Sequence, residues 1–520
     1  MIALARDGPL STGADWDFAT IQRMYRAIEG IARDDLKLDT YPNQIEVITT
    51  EQMLDAYSSI GMPLLYKHWS FGKHFAHHDS VYRQGARALA YEIVINSNPC
   101  ISYIMEENTA TMQALVISHA AFGHNHFFKN NYLFRQWTDA DGILQYLDFA
   151  KRYIAECEER HGQDQVEQLL DAAHALMSHG VHRYPRKRKP DLLSENKREQ
   201  ERRLHQEQVF NDLWRTVPGK AGSKKARLEE SRRRALLELP QENILYFLEK
   251  TAPNLAPWQR EVLRVVRMVA QYFYPQGQTK VINEGCATYC HYKIMARLHE
   301  KGLIDDGSFL EFLTSHTNVV FQPEFDDPRF SGINPYALGF SMMQDIERIC
   351  TEPTDEDRLW FPEIAGSGDP FGTLRHVWAN YRDESFGAQY LRPHVMRRWR
   401  MFQLLDEGED ADELRVEAIH DERGYRNLRR SLARQYDVAH LDPDIQVVDV
   451  DLAGDRRLVL QHRMLDGIPL DERATRDVLQ HLADLWGYDV VLQEHDELME
   501  GIAREHLVHP KVPAGRPPAV

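Results

Sequence analysis

Cysteine is scarce, with five residues (Cys100, Cys157, Cys286, Cys290 and Cys350) scattered over 520 positions. An odd, dispersed set argues against a disulfide framework and for reduced thiols. Long apolar runs are also missing. Ala114 to Ile117 is far too short to span a bilayer, and Val262 to Ala270 is interrupted by Arg264 and Arg267. The apolar start, Met1 to Ala5, stops at Arg6 before a signal-peptide core could form. The expectation is a cytoplasmic protein with no integral membrane segment. Positive charge is in the minority, 62 Lys and Arg against 79 Asp and Glu for a net −17. Such a surface repels nucleic acid and anionic lipid. No Walker-type phosphate loop, Gly-x-Ser-x-Gly elbow or Rossmann fingerprint occurs, which argues against a nucleotide-dependent enzyme.

What the chain does have is a hydrophobic fraction of 43%, enough for a sizeable core. Helical periodicity marks Asp17 to Ile31, Ile143 to Ile154, Asn243 to Leu248 and Pro257 to Phe273. The stretch from Tyr66 to Phe122 reads mostly as helix, with loops at its Asn and Pro clusters. A further helix is expected from Glu284 to about His299. The run from Arg183 to Arg234 is highly charged and reads as a solvated helix or mobile insertion, or else as a phosphate- or membrane-binding arm. Near the C-terminus, Ile445 to Leu452, Leu458 to His462 and Val490 to Leu492 read as strands around a helix from Asp471 to Trp486 ending at Gly487. The fold class is therefore mainly α. A large helical N-terminal body (residues 1–435, with the charged insertion at about 183–234) precedes a small α+β (ββαβ) domain at 440–505 and a tail at 506–520.

Chemistry concentrates in two segments, Val116 to Asn131 with His119, His124 and His126, and Asn283 to Tyr292 with Glu284 and His291. Imidazoles on an apolar helix are buried and need partners or a metal. The pair of segments echoes gluzincin metallopeptidases, in which a His-Glu-x-x-His helix is completed by Glu from an Asn-Glu-Gly helix. Two departures stand out. Ala120 occupies the place of the general-base Glu, and His119 and His124 are five residues apart, roughly 140° around an ideal α-helix. A bulge at Gly123, or a helix ending there, is needed to bring them together. His119 and His126 share a face but stand roughly 10 Å apart along it, too far for one ion. The site so assembled has His119, His124 and Glu284 as ligands of a divalent metal such as zinc. His291 would be a fourth ligand or an acid, and Glu106 and Glu107, just before the first helix, would contribute a carboxylate or a base. The alternative is that these histidines are hydrogen-bonding core residues. The dense Lys67 to His78 segment reads as an aromatic core segment or as a substrate groove, with Lys73 and His74 facing an anionic group. Cys286 and Cys290, one turn apart, read best as small buried hydrophobes.

Several blocks resemble the stage V sporulation protein R (SpoVR) family. They are Tyr66-Lys67-His68-Trp69-Ser70-Phe71-Gly72-Lys73, Glu92-Ile93-Val94-Ile95-Asn96-Ser97-Asn98-Pro99-Cys100, Met105-Glu106-Glu107-Asn108-Thr109, Gly123-His124-Asn125, Asn283-Glu284-Gly285, Asn334-Pro335-Tyr336-Ala337-Leu338-Gly339-Phe340 and Asp383-Glu384-Ser385-Phe386. The resemblance covers nearly the whole chain. It implies a role in forming the spore cortex, a peptidoglycan layer, or in starvation and stress response. It also implies a link to a PrkA-type serine protein kinase and a von Willebrand-type partner protein. Two functional readings follow. One is a metal-dependent hydrolase or amidase, and the other is a non-enzymatic regulator or scaffold acting with that kinase pair.

Overall fold

The computed structural model describes residues 8–59, 62–69, 92–183, 237, 239–405, 415–417, 421–438, 442–451, 455–496 and 501–511. The charged insertion, the acidic run at 407–413 and most of the Lys67 to His78 segment lie outside these residues. The chain divides into two compact units, Met1–Lys151 with Pro275–Asp437, and Arg152–Tyr274 with Val438–Val520.

The first unit is built around a helix that is buried on every side. In α3 (Ala110–Ile117) all residues are buried, so the helix must lie inside the core. It follows α1 (Phe18–Gly30), capped by Asp17, and α2 (Thr50–Ser58), capped by a reciprocal Thr49–Gln52 pair. Three short strands, β1 (Asn43–Ile48), β2 (Glu92–Ile95) and β3 (Cys100–Met105), form a sheet of order β1-β3-β2. β1 runs parallel to β3 and β2 antiparallel to it, so the sequence reading of Glu92 to Ile95 among helical segments is corrected. A strand of four residues leaves too little sequence for its period to emerge beside a long apolar stretch.

Directly after α3 the chain winds into a π-helical segment, Ser118–His124, and returns to α-helix in α4 (Asn125–Asn130). Against it lies α5 (Lys280–Glu300), flanked by α6 (Asp306–Val319) and α7 (Pro335–Thr351). No side chain at its own N-cap closes α5. Asp383, from a helix a hundred residues on, accepts from the backbone N–H groups of Val281 at 2.9 Å and Ile282 at 2.8 Å instead. Two glycines let backbones meet here. A Cβ on Gly123 would stand 2.6 Å from Ala287 Cα, and one on Gly285 would stand 2.7 Å from Gly339 Cα. The core around this crossing includes Ile117, Phe127, Tyr289, Met343 and Trp378.

In the second unit the helices Gln163–Ala175 and Ile244–Thr251 accompany a four-stranded sheet. Its strands are β4 (Asp444–Val450), β5 (Leu458–Met464), β6 (Val490–Asp496) and β7 (Ile502–Val508), in the order β4-β5-β6-β7. The pairing of β4 with β5 shifts register between Val447 and Asp449. The helix Glu472–Trp486 ends at Gly487, whose φ of 83° suits glycine. β7 extends the expected ββαβ order by one strand. Arg183 pairs with Glu242 at 3.0 Å. Among the described residues no helix is long and apolar enough to cross a membrane.

Candidate metal centre

The π-helical turn decides the geometry of the site. Its wider turn puts residues five apart on one face, and the rings of His119 and His124 stand 4.6 Å apart, nearly perpendicular. Glu284, in the first turns of α5, faces both. His124 Nε2 is 3.4 Å and His119 Nε2 3.6 Å from Glu284 Oε2. A second carboxylate arrives from the sheet, with Glu92 Oε1 3.6 Å from His119 Nε2. Glu92, His119 and His124 each offer a ligand atom within 4.8 Å of the other two.

Hydrogen bonds aim the rings. His124 Nδ1 lies 2.9 Å from Asn283 Oδ1, an acceptor, so its proton sits on Nδ1 and its Nε2 lone pair faces Glu284. His119 Nδ1 lies 2.9 Å from His291 Nδ1. Neither His119 Nε2 nor Glu284 Oε2 has a hydrogen-bond partner among the described residues, although both are buried. Buried polar atoms without partners are costly. A cation with bonds of about 2.0–2.2 Å in tetrahedral array sets its ligand atoms roughly 3.3–3.6 Å apart, the separations seen here. The donor set therefore fits a divalent cation such as zinc.

Burial and charge pull against each other across the cluster. Burial pushes the Glu92 carboxyl up, with His119 opposing and Glu284 adding to it. Burial acts the same way on Glu284, but His124, His119 and the Tyr336 hydroxyl outweigh it and hold that carboxyl below its ordinary range. Burial drives His124 down to about 4. For His119 the two carboxylates overcome burial and raise it.

The family described as SpoVR like protein matches residues 15–441, and the SpoVR-like C-terminal domain matches residues 443–497. The chain belongs to the SpoVR family. Its similarity to a relative from Escherichia coli (strain K12), called uncharacterized protein YcgB, is 54% identity over 488 residues, 94% of each chain. No solved structure matches.

Of the residues singled out from the sequence of this SpoVR-family chain, His119, His124 and Glu284 converge. Glu107 does not join them. It is exposed and accepts from Thr50 Oγ1 at 2.6 Å, at the start of α2. The carboxylate beside the histidines is Glu92, which opens β2 and heads one of the family blocks, although the sequence reading gave it no role in the site. His291 is close by, but His119 and His316 engage its two ring nitrogens at 2.9 and 2.8 Å, so it is a partner of the ligands in this arrangement. His126 accepts from the Asp39 N–H at 3.0 Å and belongs to the core. His316 and Tyr336 went unassigned from sequence, although Tyr336 lies in one of the family blocks.

Proposed function

We propose that this chain is a metal-dependent hydrolase acting on an amide bond, with His119, His124 and Glu284 holding one divalent cation. The observation that supports this most directly is the set of 3.4–3.6 Å nitrogen–oxygen separations around His119 Nε2 and Glu284 Oε2, two buried atoms with no hydrogen-bond partner among the described residues. A bound cation there supplies Lewis acidity and lowers the pKa of a water toward neutrality. Glu92, raised by burial and 3.6 Å from His119 Nε2, would be the carboxylate to accept a proton from the attacking water and pass it to the leaving amine. Tyr336 holds the Glu284 carboxyl, and its ring lies roughly parallel to that of His119 at 6.3 Å. An amide drawn from peptidoglycan precursors is the substrate class that joins this chemistry to the cortex role expected of the family. The kinase and von Willebrand-type partners belong to the regulatory reading, which gives the unsatisfied donor set no task.

The test is metal analysis of the purified chain after zinc loading, set against His124→Ala. Stoichiometric zinc in the parent and its loss in the variant are expected. Absence of stoichiometric metal from both removes the hydrolase reading.

A further inference from the structure

Three imidazoles stand in series behind the candidate centre. His119 Nδ1 lies 2.9 Å from His291 Nδ1, and His291 Nε2 lies 2.8 Å from His316 Nδ1. The rings come from the π-helical segment, α5 and α6, and they are 3%, 1% and 5% exposed. Phe312, Tyr292 and Phe340 pack around His316 at ring distances of 5.7, 5.1 and 4.8 Å. With these apolar walls, the imidazoles have one another as partners.

Each short N···N contact holds one proton, so the tautomers of the three rings are not independent. Ligation needs a lone pair at His119 Nε2, which puts the His119 proton on Nδ1, donating to His291 Nδ1. The His291 proton must then sit on Nε2 and donate to His316 Nδ1, which leaves the His316 proton on Nε2. We propose that His291 and His316 are positioning residues that together hold His119 in the tautomer able to bind a cation. This rests on the metal reading above and adds to it an ordered support that ends at His316, the most exposed of the three rings.

The experiment measures zinc affinity of the full chain by competition with a chromophoric chelator, for the parent, His316→Leu and His316→Asn. Leucine removes the acceptor, whereas the asparagine amide oxygen can replace Nδ1. The expected result is an affinity about ten- to a hundredfold lower for His316→Leu, with His316→Asn close to the parent. Imidazole ¹⁵N shifts of the zinc-loaded parent should show the proton on Nε2 of both His291 and His316, a readout independent of how the variants fold. Zinc binding by the parent with Nδ1-protonated His316, or with undiminished affinity in His316→Leu, overturns the positioning role and leaves the metal site standing. A parent that binds no zinc overturns both.

Discussion

Gly123→Ala tests the helix crossing on which the site depends. The added Cβ would lie 2.6 Å from Ala287 Cα, 3.0 Å from Ala287 Cβ and 3.2 Å from the Ala287 carbonyl oxygen. Carbon atoms rest at about 3.5–4.0 Å, so the π-helical segment and α5 must separate by about 1 Å. Overpacking of this kind costs about 1–3 kcal/mol, against about 0.5–1 kcal/mol that alanine returns over glycine in a helix. The steric term wins, because the closest atom is backbone and cannot rotate away. The same displacement exceeds the roughly 0.2 Å tolerance of zinc-ligand distances, so zinc affinity falls along with stability. Urea unfolding monitored by circular dichroism, with a zinc titration on the same samples, reads both effects. Ala287→Gly as a second substitution relieves the Cβ contact alone and restores little. A variant with the parent midpoint and full zinc uptake would refute the reasoning.

Three further outcomes are expected. The Asp383 carboxyl is raised to about 7 by burial, with the Val281, Ile282 and Lys280 N–H groups opposing and Glu284 adding. A raised acid makes the folded state bind more protons than the unfolded one, so its contribution to stability falls as pH rises from about 4 to 7. Asp383→Asn should therefore gain on the parent across that window in denaturant midpoints, and a pH-independent difference would count against it. Arg392 is fully buried between Asp345 and Asp357, and Arg392→Met leaves those carboxylates undercompensated at a cost of about 3–5 kcal/mol in unfolding free energy. In the second unit, buried Glu494 accepts from His506 at 2.7 Å and from the Leu470 N–H at 3.0 Å, with His462 3.3 Å away. Burial raises this carboxyl, but those partners outweigh it and hold it low. Its stabilisation is present above the unfolded glutamate value of about 4.3 and is lost as pH falls through the lower folded value. Glu494→Gln should lower the thermal midpoint at pH 7 and lower it less in acid.

Helical periods made most of the body legible, and the C-terminal strands announced themselves by alternation and by Gly487. The convergence of His119, His124 and Glu284 was legible as a requirement: the five-residue spacing demanded a departure from α-helix near Gly123. That the departure is a π-helical turn lies in packing, because glycine at 123 is what admits Ala287, and no local propensity states it. Glu92 was hidden because its strand is short and its partner strand supplies the ordering. Glu107 drew attention through its place in a family block just before an apolar helix, and its carboxylate serves the start of α2. His316 lies one turn after Phe312 on the buried side of α6, a phase that marks burial and says nothing of which ring it meets.

The contact of Gly285 with Gly339 has a mechanical meaning. Where two helices meet with no side chain between them, neither can slide without driving main chain into main chain. α5 and α7 then move as one stiff element, carrying Glu284 on one arm and Tyr336 on the other. A ligand entering beside them finds its oxygen donors already at rest, and little freedom remains to be surrendered on binding.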